Sequence, residues 1–301
     1  MRILFIGGTG NISSECISLL SGHEVWAITR GSGHVRRKPL PYWVKQQPDY
    51  DYMTFDVVAD FVCYTKEQAE ERVKTYEGRC GQYIFISSTA VYSRPAELPY
   101  TENSPTDNYY WDYAKNKREA EQVFLDSGMP VTIIRPGHTY NMTFPSCIGG
   151  NDWTVPSRIL EGKPVYLCGD GTTLWTLTHA KDFAMAFYKL IGELGVYHVT
   201  SDEYMTWREI YWTITRELGC ASIVKYILTR DIKNQKLYDE VMGHKTWCDI
   251  YDNSKIKSLG WEATISFRDG IRRTIKWYME KEERRVVDEN MNRLLDDMEG
   301  R

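Results

Sequence analysis

Arg2-Ile3-Leu4-Phe5-Ile6-Gly7-Gly8-Thr9-Gly10-Asn11-Ile12-Ser13 is the stretch whose reading decides the fold. An apolar run containing β-branched residues that ends in glycine predicts a buried parallel strand. Apolar spacing through Cys16, Ile17, Leu19 and Leu20 then predicts a helix, and His23 to Thr29 a second strand. Strand, glycine turn, helix and strand form the unit that holds a dinucleotide. The glycines let the backbone approach a pyrophosphate, whose charge sits at the helix amino terminus. A plain tight turn is the competing reading, and the two flanking elements weigh against it.

Outward from this unit, the residue closing the second strand is Arg30, followed by Gly31 to Arg37 with no acid. A carboxylate there would hold a ribose 2′-hydroxyl, whereas an arginine suits a 2′-phosphate. NADP is therefore the better electrostatic match and NAD the alternative, with Arg30 stacked on adenine. Arg36 and Arg37 read equally well as a solvated basic loop. Pro39, Pro41 and Pro48 break the next stretch, so a third strand near Tyr42 to Val44 has to be short. Phe55 to Cys63 is a clearer strand, Lys66 to Tyr76 a helix, Gln82 to Ser88 a strand ending in two hydroxyls, and Pro130 to Pro136 another. This alternation predicts an α/β fold, a doubly wound parallel Rossmann sheet over residues 1–145. A smaller carboxy-terminal substrate-binding lobe is expected over 146–301, with about 175–200 returning to the sheet.

The 301 residues suffice for one large or two modest domains, and a net charge of −4 offers no general attraction to nucleic acid or anionic membrane. Seven scattered cysteines without a Cys-x-x-Cys pair read as reduced thiols, with neither a disulfide frame nor a metal site expected. The apolar start is too short for a signal peptide and no run approaches a membrane span, so a cytoplasmic location is expected.

Tyr113 and Lys117 stand four apart near the start of a helix running to Phe124, so both leave one helix face. An ammonium beside a phenol stabilises the phenolate and brings the tyrosine toward proton exchange at neutral pH. Taken alone, the spacing is as well explained by a tyrosine packing on a lysine stem. Together with the Gly7-Gly8-Thr9-Gly10 turn, Asp56 to Cys63, Ser87-Ser88-Thr89-Ala90-Val91-Tyr92 and Arg135-Pro136-Gly137-His138-Thr139-Tyr140, the pair resembles the extended or atypical short-chain dehydrogenase/reductase superfamily. Within it, the likeness is to the NAD-dependent epimerase/dehydratase family of sugar-nucleotide enzymes. Ser88 lies three residues before Val91 and 25 before Tyr113, as the family's catalytic hydroxyl does.

The resemblance implies Tyr113 as acid/base, Lys117 lowering its pKa and bonding the nicotinamide ribose, and Ser88 holding the substrate oxygen. It implies cofactor contacts from Gly7, Thr9, Gly10, Asn11, Ile12, Arg30, Phe61, Val62, Cys63, Tyr113, Lys117, Pro136 and His138. Atypical members of the superfamily bind RNA, which the negative charge and intact triad argue against here. Four departures matter. Ser13 stands where the turn has its third glycine, and His138 where the family has asparagine. Thr89-Ala90 replaces the Asp-Glu of the dehydratases, favouring redox chemistry or epimerisation over 4,6-dehydration. Trp175 follows Gly169-Asp170-Gly171 where an arginine often clamps the sugar-nucleotide diphosphate, so the substrate is open to being another sugar-like molecule.

In the second half, a helix over Val155 to Leu160, one opened by Thr178 to Phe183 and continuing to Leu190 with Asp182 as cap or anchor, and a strand from Tyr197 to Ser201 are expected. Thr206 to Glu209 has the form of a capping box. A helix from Phe267 through Trp277 is expected to extend into the charged run 280–285. Val286, Val287, Met291, Leu294 and Leu295 have near-helical spacing that suits packing on the sheet or on a second subunit, a homodimer. The expectation for the whole is an NAD(P)-dependent oxidoreductase or epimerase acting on a secondary alcohol or ketone of a sugar-like small molecule. The alternatives are an NADPH-dependent reductase that releases its cofactor each turnover and a non-catalytic or RNA-binding relative.

Overall fold

The computed structural model describes residues 1–29, 38–46 and 52–298. The first half runs β1 (Arg2–Ile6), α1 (Ser13–Ser18), β2 (Glu24–Ile28), β3 (Phe55–Asp60), α2 (Lys66–Tyr76), β4 (Cys80–Ile86), α3 (Asp112–Asp126) and β5 (Val131–Pro136). Their central residues are buried on both faces of the sheet, which is why the sequence shows continuous apolar runs and no alternation. The second half adds β6 (His138–Tyr140), α4 (Thr154–Leu160), β7 (Pro164–Cys168), β8 (Leu174–His179), α5 (Ala180–Lys189), β9 (Gly195–Val199), β10 (Tyr204–Thr206), α6 (Trp207–Leu218) and β11 (Ile223–Ile227). Four helices complete it: α7 (Gln235–Glu240), α8 (Ser254–Lys257), α9 (Phe267–Met279) and α10 (Glu289–Asp297).

The main sheet is six-stranded and parallel, in the order β2-β1-β3-β4-β5-β9. Side-chain alternation sends Ile3, Phe5, Val57 and Ala59 to a core shared with α1 and α5, and Leu4, Ile6, Val58 and Tyr83 to one shared with α2 and α3. The short third strand expected near Tyr42 to Val44 is reduced to one bridge, Trp26 to Lys45, on the outer edge of β2. Prolines 39 and 41 deny it the length of a ladder. β9 closes the other edge against β5, and Ile256 and Trp261 join the α1/α5 core, so the second half contributes directly to the first half's layers.

The rest of the second half surrounds its own core, built from Trp153, Trp175, Trp207, Tyr211, Phe267 and Tyr278 among others. The many aromatic residues find much of their use here. Asp182 acts as an anchor, accepting from Thr264 Oγ1 at 3.0 Å and Ile265 N–H at 2.9 Å, while His179 caps α5. The Thr206–Glu209 capping box forms. Contrary to the sequence expectation, α9 stops at Met279 and does not enter the charged run. The chain turns there and α10 folds back, placing Leu295 in the lobe core with Met291 and Leu294 packed against it.

Candidate active site

The sheet reverses its winding between β1 and β3, and a crevice opens at the carboxyl ends of these strands, where ligands of such sheets bind. A cavity of about 440 Å³ lies there, lined by Gly7, Thr9, Gly10, Asn11, Ile12, Phe61 and Val62 among others. Gly7 has φ +90, and a Cβ on it would meet Val62 Cγ1 at 2.5 Å, so both conformation and space require glycine. Ser13 does more than replace a third glycine. Its hydroxyl donates to Gly7 O at 2.7 Å and accepts from Gly10 N–H at 2.9 Å, closing the turn on itself. Asn11 Oδ1 accepts from Met142 N–H at 2.8 Å, which pins the turn to the segment after β6. The cradle fits the pyrophosphate of a dinucleotide. Arg30 lies outside the described residues.

The wall of this cavity also includes Thr29, Tyr64, Gln68 and Arg72, none of which the sequence reading singled out. Gln68 and Arg72 are four apart on α2, a signal comparable to the Tyr113 and Lys117 spacing. Arg72 Nε is held at 3.0 Å by the buried carboxylate of Asp60, which also accepts from Tyr83 Oη at 2.9 Å and from Val62 N–H at 2.8 Å.

Ser88 follows β4, and Tyr113 and Lys117 occupy the first turns of α3, which packs across the same end of the sheet. Ser88 Oγ accepts from Ala90 N–H at 3.1 Å and is hydrogen-bonded to the Tyr113 hydroxyl. Lys117 is buried, and its Nζ donates to Cys63 O at 2.7 Å and Ile86 O at 2.8 Å, the last carbonyls near the ends of β3 and β4. The ammonium lies 4.6 Å from the Tyr64 ring centre, 4.9 Å from Phe85 and 6.0 Å from Tyr113. The structure thus brings Ser88, Tyr113 and Lys117 together.

The electrostatics differ from the simple expectation of a lowered phenol pKa. Burial pushes Tyr113 up to about 12, against the lowering effect of the Ser88 hydrogen bond. Burial also brings Lys117 down to about 8. The reason is geometric: the ammonium is directed at two backbone carbonyls below the ring and not at the hydroxyl. In the chain alone the phenol is therefore an acid at neutral pH.

Pro136 ends β5 and His138 begins β6; neither lines the 440 Å³ cavity. His138 Nδ1 instead faces Lys245 Nζ at 3.3 Å in the lobe. Lys245 belongs to a wide turn, Val241–Lys245, that packs against the start of α3; a Cβ on Gly243 would meet Trp111 Cβ at 2.5 Å. Asn108 Nδ2 fastens this turn, donating to Gly243 O and to Ala90 O, both at 2.7 Å. An aromatic series then connects the two regions: Tyr113 to Trp111 at 4.7 Å, Trp111 to His244 at 6.1 Å, His244 to Trp175 at 4.6 Å and Trp175 to His138 at 6.0 Å between ring centres. Trp175, in the place of an arginine clamp, is fully buried with its Nε1 donating to Trp247 O at 3.0 Å, and so belongs to the lobe's packing.

Residues 65–199 match the model of the NAD dependent epimerase/dehydratase family. The chain is similar to the chloroplast stem-loop binding protein of 41 kDa b of Arabidopsis thaliana, 27% identical over 68% of this chain and 60% of that protein. It is 25% identical to the trifunctional UDP-glucose 4,6-dehydratase/UDP-4-keto-6-deoxy-D-glucose 3,5-epimerase/UDP-4-keto-L-rhamnose-reductase RHM2 of the same plant, over 68% of this chain and 30% of that one. The chain thus spans less than two thirds of the length of either relative. Among solved structures, UDP-glucuronic acid 4-epimerase from Bacillus cereus in complex with NAD superposes with a TM-score of 0.72 at 17% identity, covering 93% of this chain and 97% of that one. That likeness is one of fold. Among the described residues no helix is long and apolar enough to cross a membrane.

Proposed function

We propose that this chain, whose residues 65–199 match the NAD dependent epimerase/dehydratase family model, is an NAD(P)-dependent oxidoreductase or epimerase acting on a secondary alcohol or ketone of a sugar-like substrate. The observation that carries this reading is the hydrogen bond between Ser88 and Tyr113 at the carboxyl edge of the sheet, with the Lys117 ammonium one helical turn beyond. The glycine turn and the Phe61-Val62 edge would hold the dinucleotide, and Lys117, which donates to Cys63 O and Ile86 O, would offer its third donor hydrogen to the ribose. When bound, the nicotinamide supplies or accepts hydride at its C4. Tyr113, protonated at neutral pH, donates its phenolic proton to the substrate oxygen in the reductive direction and takes one back in the other. Ser88, fixed by Ala90 N–H, orients that oxygen. Thr89 and Ala90 are buried where a dehydratase has an acid and a base, which supports redox chemistry over elimination.

The test is deuterium transfer from C4-labelled NADH or NADPH to a panel of keto sugars, combined with mass spectrometry of any ligand retained through purification. Label in the product that is lost in Tyr113→Phe supports the reading. Undiminished transfer in that variant overturns the role of Tyr113. Tightly retained NAD would favour an epimerase, whereas free exchange with NADPH would favour a reductase that releases its cofactor. The preference for NADP rests on Arg30 in the sequence.

A second reading, RNA binding, is favoured by the similarity to a relative named for stem-loop binding. The net charge of −4 weighs against it. A stem-loop RNA that shifts at low salt and still shifts with Lys117→Met would support it.

A further inference from the structure

Behind the aromatic series that joins Tyr113 to His138 lies a buried ammonium for which the redox reading has no use. Lys245 is 3% exposed and has no carboxylate partner among the described residues. Its Nζ donates to Ser146 O at 3.0 Å, faces His138 Nδ1 at 3.3 Å, and sits 4.4 Å and 5.0 Å from the ring centres of Trp175 and Trp207. A protonated lysine has donors only, so the Nδ1 it meets must be the bare, accepting nitrogen of a neutral imidazole. Burial lowers the pKa of Lys245, while Glu240 and the two tryptophan faces favour its charged form. His138 Nε2 then carries the proton. It has no hydrogen-bond partner among the described residues, and His138 as a whole is half-buried.

We propose that Lys245 is a positioning residue, holding His138 as its Nε2–H tautomer so that this N–H donates a hydrogen bond to an oxygen of the substrate bound beside Tyr113. The proposal rests on the oxidoreductase reading for the identity of the ligand, but not for the Lys245–His138 relation. His138 stands directly after β5, next to the β4 edge that carries Ser88, and the packed rings of Trp175, His244 and Trp111 lead from it in turn to Tyr113. Lys245 behind the ring polarises the N–H, so an anionic oxygen, such as a carboxylate or phosphate, is bound better than a neutral hydroxyl. With Trp175 buried in the lobe in place of an arginine, this donor is where the lobe reads substrate charge. Burial, reinforced by Lys245 and His244 and opposed by Asp249, holds the His138 pKa well below its ordinary value, so the ring stays neutral across the working range.

The test reads the tautomer directly, by ¹⁵N spectroscopy of the histidine-labelled full chain. The His138 signals are identified by their loss in His138→Asn, among six histidines. The expected spectrum has a bare Nδ1 and a protonated Nε2, and Lys245→Met should lose that preference. A protonated Nδ1, an imidazolium, or an unchanged tautomer in Lys245→Met overturns the proposal. If Lys245→Met does not fold, Lys245→Arg decides the matter, since it keeps a cationic donor and must keep the tautomer. With an active substrate, Lys245→Met should raise KM roughly tenfold with little change in kcat. In a His138→Asn background it should add nothing further. An unchanged KM in both single variants overturns the substrate contact. Absence of turnover in the wild type with the expected tautomer counts against the oxidoreductase reading and leaves the Lys245 role standing.

Discussion

Arg94 and Asp249 meet at 2.7 Å with both side chains fully buried, joining the segment after β4 to the segment after the Val241–Lys245 turn. Tyr100 and Tyr251 complete the cluster, through Arg94 Nη1 at 2.8 Å and through Asp249. Burial alone would raise the Asp249 pKa, but Arg94 and His244 override it and hold the carboxyl well below the usual range.

Breaking this pair leaves an uncompensated buried charge. Arg94→Met is expected to destabilise the protein by about 3–5 kcal/mol, read by urea denaturation at pH 7. Because the folded-state pKa of Asp249 is depressed, its contribution is present above the unfolded value of about 4 and is lost as pH falls below it. The gap between wild type and an Asp249→Asn variant should therefore narrow between pH 5 and strongly acidic conditions, as a denaturation series would record.

Lys117 carries the opposite sign. Its folded pKa of about 8 lies below the ordinary lysine value, so the buried charge costs stability at neutral pH. That cost is relieved as pH rises from about 8 to about 10, where the unfolded chain still holds the proton. The stability of wild type relative to Lys117→Met should increase across that window. A flat difference would mean that the ammonium is not desolvated.

For catalysis, Tyr113→Phe should lower kcat by roughly 10²–10⁴-fold with the fold intact, as expected for loss of a proton donor. Near-ultraviolet circular dichroism checks the fold and single-turnover hydride transfer the rate. Ser88→Ala should give a smaller loss in kcat, since backbone and phenol remain in place.

The dinucleotide cradle makes its own prediction. Gly7→Ala combines φ +90 with a contact of 2.5 Å to Val62. It should cost about 1–3 kcal/mol of stability and weaken NAD(P)H binding, measured by quenching of tryptophan fluorescence. Equal affinity in the variant would show that the turn does not approach the ligand.

Leu295→Ala, far from the site, should destabilise by about 2–5 kcal/mol because it empties a core position without touching the cleft. KM should stay unchanged at a temperature where the variant is folded.

The first half of the fold was legible because its strands are buried on both faces and its helices carry clear starts: Lys66 to Tyr76 is both the expected and the observed helix. The Ser88, Tyr113 and Lys117 cluster was legible through the family resemblance, whose motif places the hydroxyl about 25 residues before the tyrosine, as Ser88 stands before Tyr113. What could not be read was how burial acts on the phenol, because the carbonyls that engage Lys117 come from elsewhere in the chain, Cys63 in the segment after β3 and Ile86 at the end of β4. Lys245 was invisible for the same reason: 107 residues separate it from His138, and nothing in its neighbours along the chain marks it. The end of α9 was misread because a charged run is compatible with helix, while the return of α10 is dictated by the apolar surface it covers.

The placement of β9 at the outer edge of β5 bears on how the chain is made. Residues 138–179 of the lobe precede it, so on the ribosome the first five strands emerge with the β5 edge bare until residue 199 has been synthesised. Through that interval the nascent sheet offers a ready template for a foreign strand, and occupancy of that edge by a holdase should persist until β9 arrives.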